Sequence, residues 1–302
     1  MSRLKINLHG VEFANPVFTA SGTFGYGQEF EDFVDFSRLG GIVVKSVSRE
    51  PRIGNRPQRI HETPSGMLNA IGLQNVGLEE FLKDKLPTVR EYPTRVIVNV
   101  AGRTEEEYVE VARRLSEASG VDALELNLSC PNVKEGLQFC ESSAAIEGLV
   151  GKVRAVTKLP LWVKLSPNVA DNIPLAKAAE AAGADAISAI NTLRAVAIDL
   201  KTRKPALGNV SGGLSGPAIK PVALFHVWQI YNAVKIPVIG IGGIVSGRDA
   251  LEFILAGASA VQVGSANFRD PDVTMCIVEE MEEYLDLHKV AHVWDLRGQA
   301  WQ

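Results

Sequence analysis

Short runs of apolar residues alternate with longer amphipathic runs from one end of the chain to the other. The short runs are rich in β-branched residues, which is typical of buried strands. There are eight of them, at Pro16–Ala20, Gly41–Lys45, Arg95–Val100, Asp122–Asn127, Leu161–Leu165, Asp185–Ile190, Pro237–Ile241 and Ser259–Gly264. The longer runs have the 3.6-residue period of helices with one buried face. They lie at Gln28–Phe36, Leu78–Glu91, Glu105–Ser119, Ser142–Thr157, Ile173–Ala182, Pro217–Val234, Gly247–Ala256 and Asp272–Leu287.

Glycine separates a predicted helix from the next predicted strand at four joints, namely Gly40, Gly120, Gly183 and Gly257. Glycine accepts the left-handed conformation that ends many helices. Repeated strand–helix units require parallel strands and right-handed crossovers, and eight such units close into a (β/α)8 TIM barrel of about 250 residues. We therefore predict an α/β fold with a single barrel domain over residues 1–302. A doubly wound open sheet is the alternative, but no Gly-x-Gly-x-x-Gly follows the first strand.

Three predicted connections are too long for simple turns: Ser46–Val76, Cys130–Glu141 and Thr192–Gly216. Long ordered loops in a compact domain are usually lids or binding loops. Because each of the three follows a strand, we expect extended loops on the C-terminal face of the barrel.

Composition narrows the class of protein. The chain has 302 residues, of which 46% are hydrophobic and 22% charged, as in soluble globular proteins. A net charge of −4 gives no electrostatic reason to bind nucleic acid. The longest apolar run, Ile236–Ile244, is too short and glycine-rich to span a bilayer, and the first residues lack a signal-peptide core. Three cysteines, with no Cys-x-x-Cys spacing, predict reduced thiols in a cytoplasm and no metal site.

Polar and small residues stand where the predicted strands end. In such barrels active sites collect at the C-terminal ends of the strands. The candidates read from those ends are Ala20, Ser21, Lys45, Ser46, Asn99, Asn127, Cys130, Lys164, Ile190, Asn191, Thr192, Gly242, Gly243, Gly264 and Ser265. The glycines after the seventh and eighth strands favour a phosphate site made of backbone N–H groups, although tight turns also use glycine.

Cys130 follows the fourth strand, in Asn127-Leu128-Ser129-Cys130-Pro131-Asn132. A thiol held at a strand end between two amides is suited to act as a base beside hydrogen-bond donors. The alternative is a buried cysteine that behaves as a small hydrophobic residue.

Lys45 and Lys164 both end apolar strands, where an unpaired ammonium would be costly. Each either meets an anionic ligand, forms a Schiff base with a carbonyl substrate, or pairs with a carboxylate of the barrel. Five asparagines offer the donors and acceptors that recognise a ring with carbonyl and N–H groups, namely Asn69, Asn99, Asn127, Asn132 and Asn191.

Several of these motifs together resemble those of one enzyme family. They are the segment Asn127–Asn132, the segment Asn69-Ala70-Ile71-Gly72-Leu73-Gln74-Asn75, and Lys45 followed by Gly54-Asn55. Over nearly its full length the chain resembles the catalytic subunit of class 1B dihydroorotate dehydrogenase. Class 1B in particular is indicated by Asn191-Thr192-Leu193, Ala197-Ile198-Asp199 and Gly212–Pro217.

The resemblance implies a barrel that binds one FMN and oxidises dihydroorotate to orotate in pyrimidine (UMP) biosynthesis. Cys130 would remove a proton from C5 of the substrate, and hydride would pass from C6 to the flavin. A partner subunit carrying FAD and a 2Fe–2S cluster would pass the electrons to NAD+. The chain would form a homodimer within a heterotetramer, with no nucleic-acid or membrane partner.

The resemblance also assigns residues to each ligand. Substrate would be bound by Lys45, Asn69, Ala70, Ile71, Gly72, Leu73, Asn127, Asn132, Asn191 and Thr192. FMN would be bound by Ala20, Ser21, Lys45, Ser46, Asn99, Asn127, Lys164, Ile190, Gly216, Gly242, Gly243, Gly264 and Ser265. The loop from Pro131 to Glu141 would close over the substrate and exclude water.

Three features depart from the class 1B pattern. Arg194-Ala195-Val196 stands where that pattern more often has Lys-Gly-Met, and Cys140 has no role in it. The last residues, 290–302, match nothing in the pattern and contain Trp294 and Trp301. This tail either contacts the partner subunit or packs on its own barrel.

Other functions remain open at this point. A fumarate-linked class 1A dihydroorotate dehydrogenase would show the same Asn-Leu-Ser-Cys-Pro-Asn segment. A dihydrouridine synthase acting on tRNA is disfavoured by the negative net charge. A Schiff-base aldolase or lyase would use Lys45 or Lys164.

Overall fold

The fold is a closed barrel of eight parallel strands, seen in a computed structural model that describes residues 2–128, 139 and 142–301. The strands are β1 (Val17–Thr19), β2 (Gly41–Val47), β3 (Arg95–Val100), β4 (Ala123–Asn127), β5 (Leu161–Leu165), β6 (Ala186–Ala189), β7 (Val238–Ile241) and β8 (Ala260–Val263). They follow one another around the barrel in chain order, and β8 pairs with β1. The predicted (β/α)8 barrel is confirmed, and only β2 departs by more than one residue from its predicted bounds.

Helices connect the strands on the outside of the barrel. The α-helices of nine residues or more are Glu105–Glu117, Ser143–Arg154, Ile173–Ala181, Lys220–Ala233, Gly247–Ala256 and Val273–Leu287. The predicted helix at 78–91 is a continuous helical segment made of Leu78–Glu80, the π-helical turn Phe81–Lys85 and Leu86–Val89.

The predicted helix at Gln28–Phe36 is wrong. Only two 3-10 turns are found there, Gln28–Phe30 and Phe36–Arg38. Asp35 starts the second turn, since its carboxylate accepts a hydrogen bond from the backbone N–H of Ser37. Two aromatic residues of this stretch, Phe30 and Phe36, pack against Phe24, whose ring stacks on that of Phe30 with 3.8 Å between centroids.

The N-terminal segment forms a hairpin, Ile6–Leu8 with Val11–Phe13, that packs against the barrel. The Phe13 ring lies 4.9 Å from that of Phe18 in β1 and 6.2 Å from that of Trp162 in β5. All three side chains are buried, so this cluster fills the barrel close to the N-terminal end of β5.

Two of the predicted long loops join into one structure. Leu193–Ala195, Gly212–Ser215, Gly66–Asn69 and Ile60–Thr63 form a four-stranded antiparallel sheet in that order, here called the loop sheet. Glycine is required where its strands meet, because a Cβ on Gly66 would lie 2.0 Å from the carbonyl oxygen of Ser215. A short ladder, Ile198–Asp199 with Lys204–Pro205, follows the first of these strands. The third predicted loop, 130–141, lies outside the described residues except for Phe139.

The C-terminal tail packs on its own barrel. Trp294 donates from its indole nitrogen to the carbonyl of Ser259 at 2.9 Å, and Val293 is fully buried. Trp301 stacks on Trp228 with 4.0 Å between ring centroids. Within the described ranges, no helix combines the length and the apolar character needed to cross a bilayer.

Candidate active site

A cavity of about 310 Å³ lies at the C-terminal ends of the barrel strands, beside the loop sheet. It brings together 18 of the residues predicted from the sequence, which come from seven strand ends and two loops. They are Ala20, Ser21, Lys45, Ser46, Asn69, Ile71, Gly72, Leu73, Asn127, Lys164, Ile190, Asn191, Thr192, Gly216, Gly242, Gly243, Gly264 and Ser265.

Of the other four predicted residues, two are described and do not line the cavity, and two cannot be placed relative to it. Cys130 and Asn132 lie outside the described residues. Ala70 is fully buried in a small apolar cluster with Leu68 and Leu207, because it belongs to the packed side of the loop sheet. Asn99 is also fully buried, and it is joined to the lining residue Ser46, whose hydroxyl donates to the Asn99 amide oxygen at 2.5 Å.

The end of β4, where the Cys130 segment begins, is held by two hydrogen bonds. The Asn127 carbonyl accepts from the hydroxyl of Tyr108 at 2.6 Å, and its amide oxygen accepts from the Asn191 amide at 3.2 Å. The second bond joins two predicted substrate residues from β4 and from the end of β6. Both side chains are therefore fixed in one wall of the cavity.

The segment Asn191–Arg194, which follows β6, is fixed by two hydrogen bonds with the side chain of Asn168. The Asn168 amide nitrogen donates to the carbonyl of Thr192 at 3.0 Å, and its amide oxygen accepts from the backbone N–H of Arg194 at 2.8 Å. On the opposite side Gly213 of the loop sheet lies against Thr192, since a Cβ there would lie 2.0 Å from the Thr192 hydroxyl. Thr192 is thus enclosed between the barrel and the loop sheet.

The two predicted lysines have different surroundings. Lys45 is half-buried, and burial is the main cause that lowers its pKa. The positive charge of Arg59 lowers that pKa further, whereas Glu29 opposes both effects. Lys164 is buried, with its ammonium 3.8 Å from a carboxylate oxygen of Glu125 and 3.4 Å from the Ser21 hydroxyl. The ion pair with a barrel carboxylate, which the sequence left open for Lys164, is present.

Glycine turns follow β7 and β8. Gly242 and Gly243 have φ of 129° and 73°, in the region that favours glycine. A Cβ on Gly243 would lie 2.7 Å from the Cβ of Lys220, so the turn presses against the start of the helix Lys220–Ala233. Lys220 in turn binds Asp249 and Glu252 at 2.7 and 2.8 Å. Backbone N–H groups at such turns are suited to hold a phosphate.

Sequence reasoning missed one buried group and several lining residues. Glu125 is fully buried inside the barrel, where it binds side chains from four other strands. Its signal was visible, as the one charged residue in the apolar run Ala123-Leu124-Glu125-Leu126. The cavity is also lined by Thr23, Met67 and Phe268, which no motif marked, and by Gln74, Gly213 and Ser215, which lie in the family motifs but had no role assigned. Among the described residues no cluster of three acidic, histidine or cysteine side chains is arranged to hold a metal ion.

Comparisons with known proteins agree with this geometry. The family model described as Dihydroorotate dehydrogenase matches residues 3–285. A relative from Pelobacter propionicus is 57% identical over 98% of this chain and 97% of its own length. Relatives from Citrifermentans bemidjiense and Alkaliphilus metalliredigens are 55% and 53% identical, over 98% of this chain and at least 97% of their own. All three are named dihydroorotate dehydrogenase B (NAD(+)), catalytic subunit.

A solved structure of DHODH from Eimeria tenella, in complex with ferulenol, superposes with a TM-score of 0.84. It covers 99% of this chain and 89% of the other at 24% identity, so it supports the barrel fold alone. The family match over most of the chain and the three relatives above half identity carry the assignment further. The chain belongs to the dihydroorotate dehydrogenase family.

Proposed function

We propose that the protein is the catalytic subunit of an NAD+-linked dihydroorotate dehydrogenase, which oxidises dihydroorotate to orotate in pyrimidine biosynthesis. The observation that carries this proposal is that both lysines, three of the asparagines and the glycine turns line the same cavity. The names of the relatives above half identity support the substrate and the electron acceptor.

The residues around the cavity fit FMN. The turns at Gly242-Gly243 and Gly264-Ser265 offer backbone N–H groups for its phosphate, in positions where side chains on the first turn would collide. Lys164 supplies a positive charge suited to an anionic reduced flavin ring. Bound FMN would supply the acceptor for the hydride that leaves C6 of the substrate.

The opposite part of the cavity fits a small anionic pyrimidine. Asn69, Asn127 and Asn191 offer amides for ring carbonyl and N–H groups, and Thr192 adds a hydroxyl. Lys45 can neutralise a carboxylate, because an ammonium within reach of an anion strengthens binding in a partly buried site. The loop sheet covers this part of the cavity through Asn69 and Gly213, which are joined by a hydrogen bond of 3.4 Å.

We assign the proton abstraction at C5 to Cys130, which stands three residues after Asn127. A thiol with an ordinary pKa of about 8.5 needs only a modest downward shift to act as a base near neutrality. The electrons would leave through a partner subunit with FAD and a 2Fe–2S cluster, and this chain would pair with a second copy of itself within a heterotetramer. The complex would lie in the cytoplasm.

The visible spectrum of the purified chain tests the proposal. We expect a flavin spectrum that bleaches when dihydroorotate is added without oxygen. C130A should keep the flavin and lose nearly all of this bleaching, because the base is gone, whereas C130S should retain a little at high pH.

Three other results would contradict all or part of this proposal. A colourless chain that traps substrate on a lysine with borohydride would identify a Schiff-base lyase. Bleaching with turnover on fumarate and no partner would identify a class 1A enzyme. Full-speed bleaching by C130A would remove the thiol from the mechanism.

A further inference from the structure

Glu125 lies at the centre of a polar network inside an otherwise apolar barrel. It has no exposed surface, and its carboxylate accepts hydrogen bonds from Asn99 at 2.7 Å, Ser188 at 2.8 Å and Gln262 at 2.6 Å. These partners come from β3, β6 and β8, and Lys164 of β5 completes the set. A carboxylate buried this deeply is costly unless it is both hydrogen-bonded and paired.

Lys164 and Glu125 compensate each other. Within the described part of the chain, each is the only ion-pair partner of the other, at 3.8 Å. Lys164 lines the cavity but Glu125 does not, so the carboxylate lies behind the ammonium as seen from the cavity. The pair places a cation in the cavity wall without leaving that cation unpaired.

Glu125 also orients a second group of the cavity wall. A carboxylate can only accept, so the bond with Asn99 must come from the amide nitrogen, and the Asn99 oxygen points to Ser46. The Ser46 hydroxyl therefore donates away from the cavity that it lines, and its lone pairs are free to accept from a ligand. One buried carboxylate thus sets the polarity of two lining residues.

We propose that Glu125 is a positioning residue that acts through Lys164, and through Asn99 and Ser46, on the flavin. The inference rests on the proposed function, since it concerns the FMN that this cavity would hold. Without Glu125, the ammonium of Lys164 would be unpaired in a buried position, and it would be lost from the cavity wall as a charge. The reduced flavin would then lose the cation that stabilises it.

The test measures the midpoint potential of bound FMN in wild type, E125Q, K164Q and the double variant. We expect E125Q to shift the potential in the negative direction, as K164Q does, and the double variant to shift it no further than K164Q alone. If Glu125 acted only as a negative charge near the flavin, its removal would shift the potential in the positive direction. A positive shift, no shift, or additive shifts would each overturn the proposal.

S188A is the matched control. It removes one hydrogen bond to the same carboxylate but keeps the charge, so it should lower thermal stability and leave the potential unchanged. An equal negative shift in S188A would mean that loosening the network, and not loss of the charge, moves the potential. A wild-type chain without flavin would overturn the proposed function itself, whereas a flavin-bound wild type with additive variants would overturn only the role of Glu125.

E125Q should fold, because the new amide group can find a hydrogen-bond acceptor inside the barrel. The amide oxygen of Gln262 is buried and has no hydrogen-bond partner among the described residues, so it can accept from the new amide after rotating. Should E125Q not fold, the exchange E125Q/Q262E keeps a carboxylate and an amide in contact while removing the carboxylate from position 125, where it pairs with Lys164 at 3.8 Å. The same negative shift, absent when K164Q is added, is then expected, and an unchanged potential would overturn the proposal.

Discussion

At the scale of single residues, the cavity combines charges that the sequence placed correctly with a partner that it did not reveal. Lys45 and Lys164 were both identified because an unpaired ammonium is costly to bury at the end of an apolar strand, so each lysine was expected to have a ligand or an ion-pair partner. Glu125 was passed over, although it follows the same logic in the middle of a strand. The difference is that a charge at a strand end is already expected to belong to the active site of a barrel. The role of a buried charge in the middle of a strand can be inferred only when its neighbours on other strands are known.

The charge on Lys45 leads to a prediction about pH. Because burial and Arg59 lower its pKa, Lys45 loses its charge as the pH rises, and does so at a lower pH than an ordinary lysine. The kcat/KM for dihydroorotate should therefore fall on the alkaline side. R59Q should move this fall to higher pH, and E29Q should move it to lower pH, since Glu29 opposes the shift.

R113Q is the control for the pH profile. It removes an equal charge from a helix on the outside of the barrel, where Arg113 pairs with Glu110 and Glu117. The alkaline limb of R113Q should match that of wild type. If R59Q also left the limb in place, Lys45 would not be the group that titrates there.

At the scale of elements, the barrel strands and the positions of the long loops were predictable, but the pairing between those loops was not. Each barrel strand is a mostly apolar run, so its position is encoded locally. The loop sheet instead pairs Gly66–Asn69 with Gly212–Ser215. These strands are far apart in the sequence, so no local pattern predicts that they pair. The helix predicted at Gln28–Phe36 was wrong for the same reason, because Phe30 and Phe36 both pack against Phe24, which precedes the stretch, and this contact is not visible in the local pattern.

The glycine turn after β7 gives a prediction at this scale. In G243A the new methyl group would lie 2.7 Å from the Cβ of Lys220, at a φ of 73° that costs a residue with a side chain about 1–2 kcal/mol. The turn must move, so we expect G243A to purify as a folded barrel with greatly weakened FMN binding, measured by flavin release on dilution.

G151A is the matched control for this turn. Gly151 lies in the helix Ser143–Arg154, and a Cβ there would meet nothing within 4 Å. This substitution should leave FMN binding unchanged and stabilise the helix by about 0.5–1 kcal/mol. Tight FMN binding by G243A would show that this turn does not hold the phosphate.

At the scale of the whole molecule, the order of the strands makes the cavity possible. Because β1 to β8 run in parallel and in chain order, all their C-terminal ends open on one face. Residues separated by more than 200 positions, such as Ala20 and Gly264, therefore line one cavity. This convergence was predictable once eight strand–helix units had been counted, and the family membership of the chain agrees with it.

The tail gives the last prediction, because its two possible roles differ in what its removal would change. Val293 is fully buried and Leu296 is nearly so, and burying each such side chain stabilises a fold by about 1.5–3 kcal/mol. Ending the chain at Val290 should therefore lower the melting temperature by several degrees. Dihydroorotate-dependent bleaching of the folded fraction should persist, because none of the tail residues that the structure describes, 291–301, lines the cavity. L287A, at a position that is 77% exposed, should change stability by no more than about 0.5 kcal/mol. A truncated chain that melts like wild type but no longer binds its electron-transfer partner would assign the tail to that partner.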